Sequence, residues 1–214
     1  GAWGYTKGNS SVVVAVLDAG FQKGHPDLAD SWLVNSGEIA GNNKDDDNNG
    51  YIDDVYGWSF YNKSGDVDAG SYGEHGVSVA GLVAARENGK GVVGSCPKCS
   101  LLPVVVSWAV EDDAEAFYYA KIRGADIITN SWGYPVGTPR TDVLEEAIAD
   151  VAATGRDGKG TIILFAMNNI DQDDCVGSQP DISALETVIA VSAASDLDKK
   201  VSFSAWGNCM EFLS

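Results

Sequence analysis

Five apolar runs leave this chain few folds to choose from: "SVVVAVLD" (11–18), "SLLPVVV" (100–106), "ADIITNSW" (125–132), "GTIILFA" (160–166) and "TVIAVSA" (187–193). They lack strict polar–apolar alternation, as expected of strands covered on both faces in a parallel sheet. Segments with helical character lie between most of them. "HGVSVAGLVAARENG" is apolar on one face and stops at Gly89, which suits a C′ position. "EDDAEAFYYAKIRG" has acids in its first turn and bases in its last, complementing the helix dipole. "TDVLEEAIADVAATG" starts and stops in a similar way. Strands alternating with helices predict a doubly wound, mostly parallel α/β sheet with helices on both faces, as one domain over 1–214. The stretch from about 30 to 72 reads as an inserted loop region, too long for a plain connector.

Charge narrows the function classes. The chain carries 14 basic and 31 acidic residues, a formal charge of -17. Such a surface repels nucleic acid and anionic membranes, and it suits a protein that binds hard cations through carboxylates. No apolar run reaches the roughly 18 residues of a membrane-spanning helix. Neither a nucleic-acid nor a membrane partner is expected.

In an open parallel sheet, function collects at the carboxyl ends of the strands. Asp18 closes the first run, where a lone Asp is ordinarily a turn cap. His75 opens the first helical segment among Gly73, Gly76 and Gly81, which permit close backbone approach. The other histidine, His25, sits in a loop, so His75 is the better-placed base. The fourth run leads through Ala166 into Asn168 and Asn169, an amide pair at the same edge.

Together these stretches resemble the subtilisin-like serine proteases, the subtilases. "VAVLDAGFQKGHPDL" looks like the family's aspartate block, with the catalytic aspartate at Asp18. "EHGVSVAGLVAA" looks like the histidine block, with the catalytic histidine at His75. "IITNSWG" resembles the block whose Ser131-Trp132-Gly133 backbone pairs with an extended substrate. "ILFAMNN" resembles the oxyanion block, mapping the stabilising asparagine onto Asn169. The resemblance also puts Ala166 in the pocket for the residue before the cleaved bond, with Gly177 at its floor. It implies a subtilisin-like fold and a secreted or extracellular endopeptidase acting on polypeptide. An inhibitory propeptide before Gly1 goes with it, making the protein a zymogen.

The chemistry explains the residue types. The aspartate holds the imidazole's tautomer, the imidazole takes a proton from a serine hydroxyl, and the asparagine donates to the oxyanion. The family's serine block, G-T-S-x-A-x-P, is absent from the 214 residues, and neither Ser204 nor Ser214 has its context. The apolar ending "VSFSAWGNCMEFLS" reads like the interior of a domain incomplete at its C-terminus. The expectation is a companion chain, produced by nicking or processing, that carries the serine. The alternative is a non-catalytic binding protein that kept the fold. Val77 replaces the family's usual threonine after the histidine-glycine pair. Asn168 replaces the usual glycine before Asn169, a change expected to strain the turn.

Two further features stand apart. "DDDNNGYID" fits D-x-D-x-N-G-x-x-D and predicts a calcium loop in which Asp45, Asp47, Asn49, the Tyr51 carbonyl and Asp53 ligate Ca²⁺. Tyr56 stands where an EF-hand needs its glutamate, so this is a free-standing loop that pins the insertion. Cys96 and Cys99 form a C-x-x-C, read as a local disulfide with free thiols, a zinc half-site and a redox pair as alternatives. By exclusion, Cys175 pairs with Cys209. Two bridges imply an oxidising compartment.

Overall fold

The computed structural model describes residues 2–68, 73–135, 137–176 and 181–214. Its strands are β1 (Val13–Asp18), β2 (Trp58–Ser59), β3 (Ser100–Val105), β4 (Ile127–Asn130), β5 (Ile162–Ala166), β6 (Ile189–Ser192) and β7 (Met210–Leu213). Its helices are α1 (Gly73–Ala84), α2 (Val110–Ile122) and α3 (Asp142–Gly158). The strands form one sheet in the order β2-β3-β1-β4-β5-β6-β7, with every neighbouring pair parallel. All five apolar runs lie in it.

Side-chain alternation along β1 shows why the runs are apolar on both sides. Val13, Ala15 and Leu17 pack into a cluster with Phe117 of α2 and Ile148 of α3. Val14 and Val16 pack on the other face, with Ala80 and Ala84 of α1. A polar residue in mid-strand would meet a helix on either face, and burying it without a partner costs several kcal/mol.

Three elements differ from the sequence expectation. Helix α1 ends at Ala84, not near Gly89. The chain turns back, and the Ser95 and Cys96 amides donate to the Leu82 and Val83 carbonyls at 2.8 Å each. Gly94 lies so close to Ala84 that a side chain there would overlap its backbone. A tertiary return thus caps the last turn. The inserted region contains a strand, β2, which pairs with β3. Tyr51 anchors that region by edge-on contacts with Trp58 and Tyr119, at centroid distances of 5.1 and 4.6 Å. The stretch after Phe203 forms β7 on the sheet edge, with Phe212 and Leu213 exposed. Elsewhere the local signals agree with the structure. Helical geometry in α3 breaks at Gly155, where ψ is 164°.

Because all the strands run one way, Asp18, Asn130, Ala166 and Ser192 end them at one rim. Among the described residues, no helix is long and apolar enough to cross a membrane.

Candidate active site

Helix α1 starts beside the end of β1 because glycines let it. A Cβ at Gly76 would overlap the Gly20 carbonyl, and one at Gly73 would lie 3.0 Å from the Phe21 carbonyl oxygen. The close approach puts His75 Nδ1 at 2.8 and 2.9 Å from the two carboxylate oxygens of Asp18. The Ala19 amide donates to Asp18 Oδ1 at 2.7 Å. Asp18 is buried, while the His75 side chain is 57% exposed. An ionised carboxylate only accepts, so Nδ1 of His75 carries the proton. Nε2 is thereby the basic nitrogen. His25 has a local task, since its Nδ1 accepts from the Asp27 amide at 3.3 Å.

Burial pushes the Asp18 carboxyl above its ordinary value, and the hydrogen bonds from His75 and Ala19 recover part of that shift. A carboxyl raised on folding binds its proton more tightly in the folded state. Asp18 therefore contributes most stability below its unfolded pKa, and that contribution is lost as pH rises through the raised folded value. The pair is kept at a cost to the fold.

The ends of β4 and β5 form a second stretch of rim. Ser131, Ala166 and Asn169 line one cleft of about 300 Å³, together with Ser192 from the end of β6. Gly133 and Asn169 are exposed, while Trp132 turns into the core edge-on to Phe165 at 5.3 Å. Asn168 is not strained: its φ is not positive. Its amide N–H donates to Asp174 Oδ2 at 2.9 Å, and its side chain donates to Asp181 Oδ2 at 3.0 Å. The expected turn glycine is thus replaced by a residue in an ordinary conformation with two carboxylate partners. Gly177 lies outside the described residues.

In the acidic loop, carboxylate oxygens of Glu38, Asp45 and Asp47 come within 4.8 Å of one another. Glu38 went unnoticed in the sequence because it stands seven residues before Asp45, outside the repeating pattern. Its oxygens also organise the loop, accepting from the Asp46, Asp47 and Asp53 amides at 2.8, 3.1 and 3.0 Å. Asp53, an expected ligand, is occupied elsewhere. Its carboxylate accepts from the Gly41, Asn42 and Asn43 amides at 2.8, 3.2 and 2.9 Å. The Asn49 side-chain oxygen accepts from the Tyr51 amide at 2.8 Å. Burial pushes the Tyr51 hydroxyl up to about 12, in keeping with its ring packed in the core. Three converging carboxylates fit a hard cation of the calcium type.

A buried ion pair ties this loop to α2. Asp54 is fully buried and accepts from Arg123 at 2.6 Å, from the Tyr119 hydroxyl at 2.7 Å and from Asn35 at 2.8 Å. Asn35 also donates to Asp47 at 2.9 Å. The cysteines form two bridges, Cys96–Cys99 and Cys175–Cys209, with no free thiol.

A fully parallel sheet with an aspartate–histidine pair on its carboxyl rim places the chain among the α/β proteins. The family follows from comparison: the model of the subtilase family (peptidase S8) matches residues 9–213, and the chain belongs to that family. Thermitase from Thermoactinomyces vulgaris is 28% identical over 219 residues, covering 98% of this chain and 64% of thermitase. A thermophilic serine proteinase from Bacillus sp. is 29% identical over 219 residues, covering all of this chain and 46% of the relative. A calcium-dependent protease from Nostoc sp. is 31% identical over 160 residues, covering 66% of this chain and 23% of the relative. The chain thus spans between 23% and 64% of the length of these relatives. In fold it is similar to the prenylagaramide maturation protease PagA, with a TM-score of 0.67 and 24% identity over 97% of this chain and 62% of that one.

Proposed function

We propose that this chain is the aspartate- and histidine-bearing portion of a serine endopeptidase. The observation that carries the reading is the short contact of His75 Nδ1 with both oxygens of buried Asp18. It leaves Nε2 exposed and basic, the arrangement a general base needs to take a proton from a hydroxyl. The hydroxyl belongs to a serine outside the 214 residues, in the same polypeptide or in a companion chain made by processing. Asn169 donates to the oxyanion from the end of β5. An extended polypeptide adds as a strand along Ser131–Gly133, with Ala166 beside the residue before the scissile bond.

Calcium binds at Glu38, Asp45 and Asp47, and the relatives named calcium-dependent proteases support that reading. When bound, the ion neutralises three clustered carboxylates and so holds the insertion in place. Two disulfides favour a secreted protein, and a propeptide preceding Gly1 would keep it a zymogen.

The test is labelling of the full-length protein with a fluorophosphonate, followed by mass spectrometry of the labelled peptide. A single labelled serine outside the 214 residues is expected. His75→Ala should slow labelling by at least about 1000-fold. Absence of label in the full-length protein would instead support a non-catalytic binding protein. Label indifferent to His75 would remove the base assignment.

A further inference from the structure

Asp113 is fully buried in the first turns of α2, yet its carboxylate has no part in the proposed chemistry. It joins two separate segments of the rim. Oδ1 accepts from the Ser107 amide at 3.0 Å, in the loop that follows β3. Oδ2 accepts from the Tyr134 hydroxyl at 2.6 Å, just past the Ser131–Gly133 segment that follows β4. The neighbouring Asp112 accepts from Ser107 Oγ at 2.9 Å, and that hydroxyl accepts from the Ala109 amide at 3.1 Å. Between these bonds Trp108 is held at φ 67°, a conformation that costs a non-glycine residue about 1–2 kcal/mol. Such a backbone persists only where its surroundings over-determine it, and it clusters at ligand clamps.

The two segments touch through their aromatic rings. Trp108 packs edge-on to Trp132 at 5.7 Å, and Trp132 packs edge-on to Tyr134 at the same distance. Trp108 is 47% exposed, so the contact lies at the surface of the rim. A strained, exposed loop is thus fixed against the segment proposed to bind an extended chain, and a single buried carboxylate spans the two. Both oxygens of this buried carboxylate are engaged, one on each segment, so loss of either bond loosens the strut.

We propose that Asp113 is a positioning residue that sets the spacing between the Trp108 loop and the Ser131–Gly133 segment, and through it the binding of extended peptide substrates. This rests on the docking of substrate along Ser131–Gly133. Peptide length on the acyl side of the cleaved bond should therefore expose it. In a structural role alone, Asp113 would change the amount of folded enzyme and so lower apparent kcat for every substrate. In a positioning role it changes KM in a length-dependent way.

The experiment measures kcat and KM of the full-length protein on two substrates with the same residue before the cleaved bond. One is a single-residue ester and the other a peptide extended by four residues on the acyl side. Asp113→Ala should raise KM for the extended peptide about tenfold more than for the ester. Asp113→Asn, which keeps an acceptor for Ser107, should restore most of that difference. Tyr134→Phe should move KM in the same direction by a smaller factor and add nothing to Asp113→Ala, because the two groups act as one strut. If Asp113→Ala does not fold, Tyr134→Phe decides the matter, since it should still raise KM for the extended peptide more than for the ester. Length dependence of KM that survives all the variants overturns the role of Asp113 alone. A wild-type KM that ignores peptide length removes the docking along Ser131–Gly133, and this proposal with it.

Discussion

The loop from Asn35 to Asp54 brings three of its carboxylates together, whereas in the loop from Asn168 to Asp181 each carboxylate accepts from a nitrogen donor of its own. In the first, Glu38, Asp45 and Asp47 converge within 4.8 Å. In the second, Asp171 pairs with Lys200 at 2.8 Å, Asp173 caps the Cys175 amide at 2.9 Å, and Asp174 and Asp181 both hold Asn168. Both loops are acidic, so the number of acids does not distinguish them. Convergence does: two like charges about 5 Å apart repel by roughly 1 kcal/mol in water and several times more near a protein surface. The proposed calcium would relieve that repulsion in the first loop. In the second, Lys200 pairs with Asp171, amide donors hold the other carboxylates, and Cys175–Cys209 ties the loop to the strand beyond it. On the proposed reading an ion holds the first loop, whereas a disulfide closes the second.

The largest effect expected from this contrast is on the second loop. The Cys175–Cys209 bridge closes a segment of 34 residues. By the chain-entropy estimate its removal costs about 4 kcal/mol, or roughly 8–16 °C in Tm for a domain of this size. Calorimetry of the Cys175→Ser, Cys209→Ser double variant should show that drop, with the response to chelator unaltered. A double variant that melts like the wild type would mean the bridge does not hold the loop.

Next in size is chelation, which acts on the first loop. Removing an ion present at a hundredfold excess over its Kd costs about 2.7 kcal/mol, or roughly 5–11 °C. Asp45→Asn with Asp47→Asn should abolish the shift. Asp53→Ala should lower Tm through three lost backbone hydrogen bonds yet leave the shift intact. A chelator shift that disappears in Asp53→Ala would return Asp53 to the ligand set and weaken the contrast.

The smallest effect is the acid limb of stability. For Asp47, burial pushes the carboxyl up, but hydrogen bonds from Asn35 and the Asn49 amide outweigh it and the net shift is downward. A carboxyl lowered on folding contributes stability above its unfolded pKa, and that contribution is lost as pH falls through the lower folded value. Tm measured from about pH 5 to about pH 2 should fall. The fall should be shallower in Asp47→Asn, and an identical slope would remove Asp47 from the electrostatics of the loop.

The legible parts of the molecule are those in which neighbours in sequence do the work. The five long strands, the acidic start of α2, the break at Gly155 in α3 and the placement of Asp18 and His75 all come from short stretches. There, apolar run length, charge order and glycine spacing act locally. What was illegible depends on partners far away in sequence. Nothing near Ala84 signals the end of α1, because the stopping amides arrive from Ser95 and Cys96. Two-residue β2 exists only because β3 offers an edge. Glu38 joins Asp45 and Asp47 through a fold of the loop that no spacing rule describes.

From its residues alone, this chain was bound to build a parallel sheet buried on both faces, with an acid at the end of its first strand and an imidazole at the start of its first helix. Apolar periodicity and strand direction suffice for that. Tertiary structure alone decided which carboxylates face one another and which face a donor. It also decided that Asp113 would bridge Ser107 and Tyr134. The physical reason is reach. Periodicity acts over a few residues, whereas hydrogen bonds and charge repulsion act over a few ångströms, and only a folded chain converts one distance into the other.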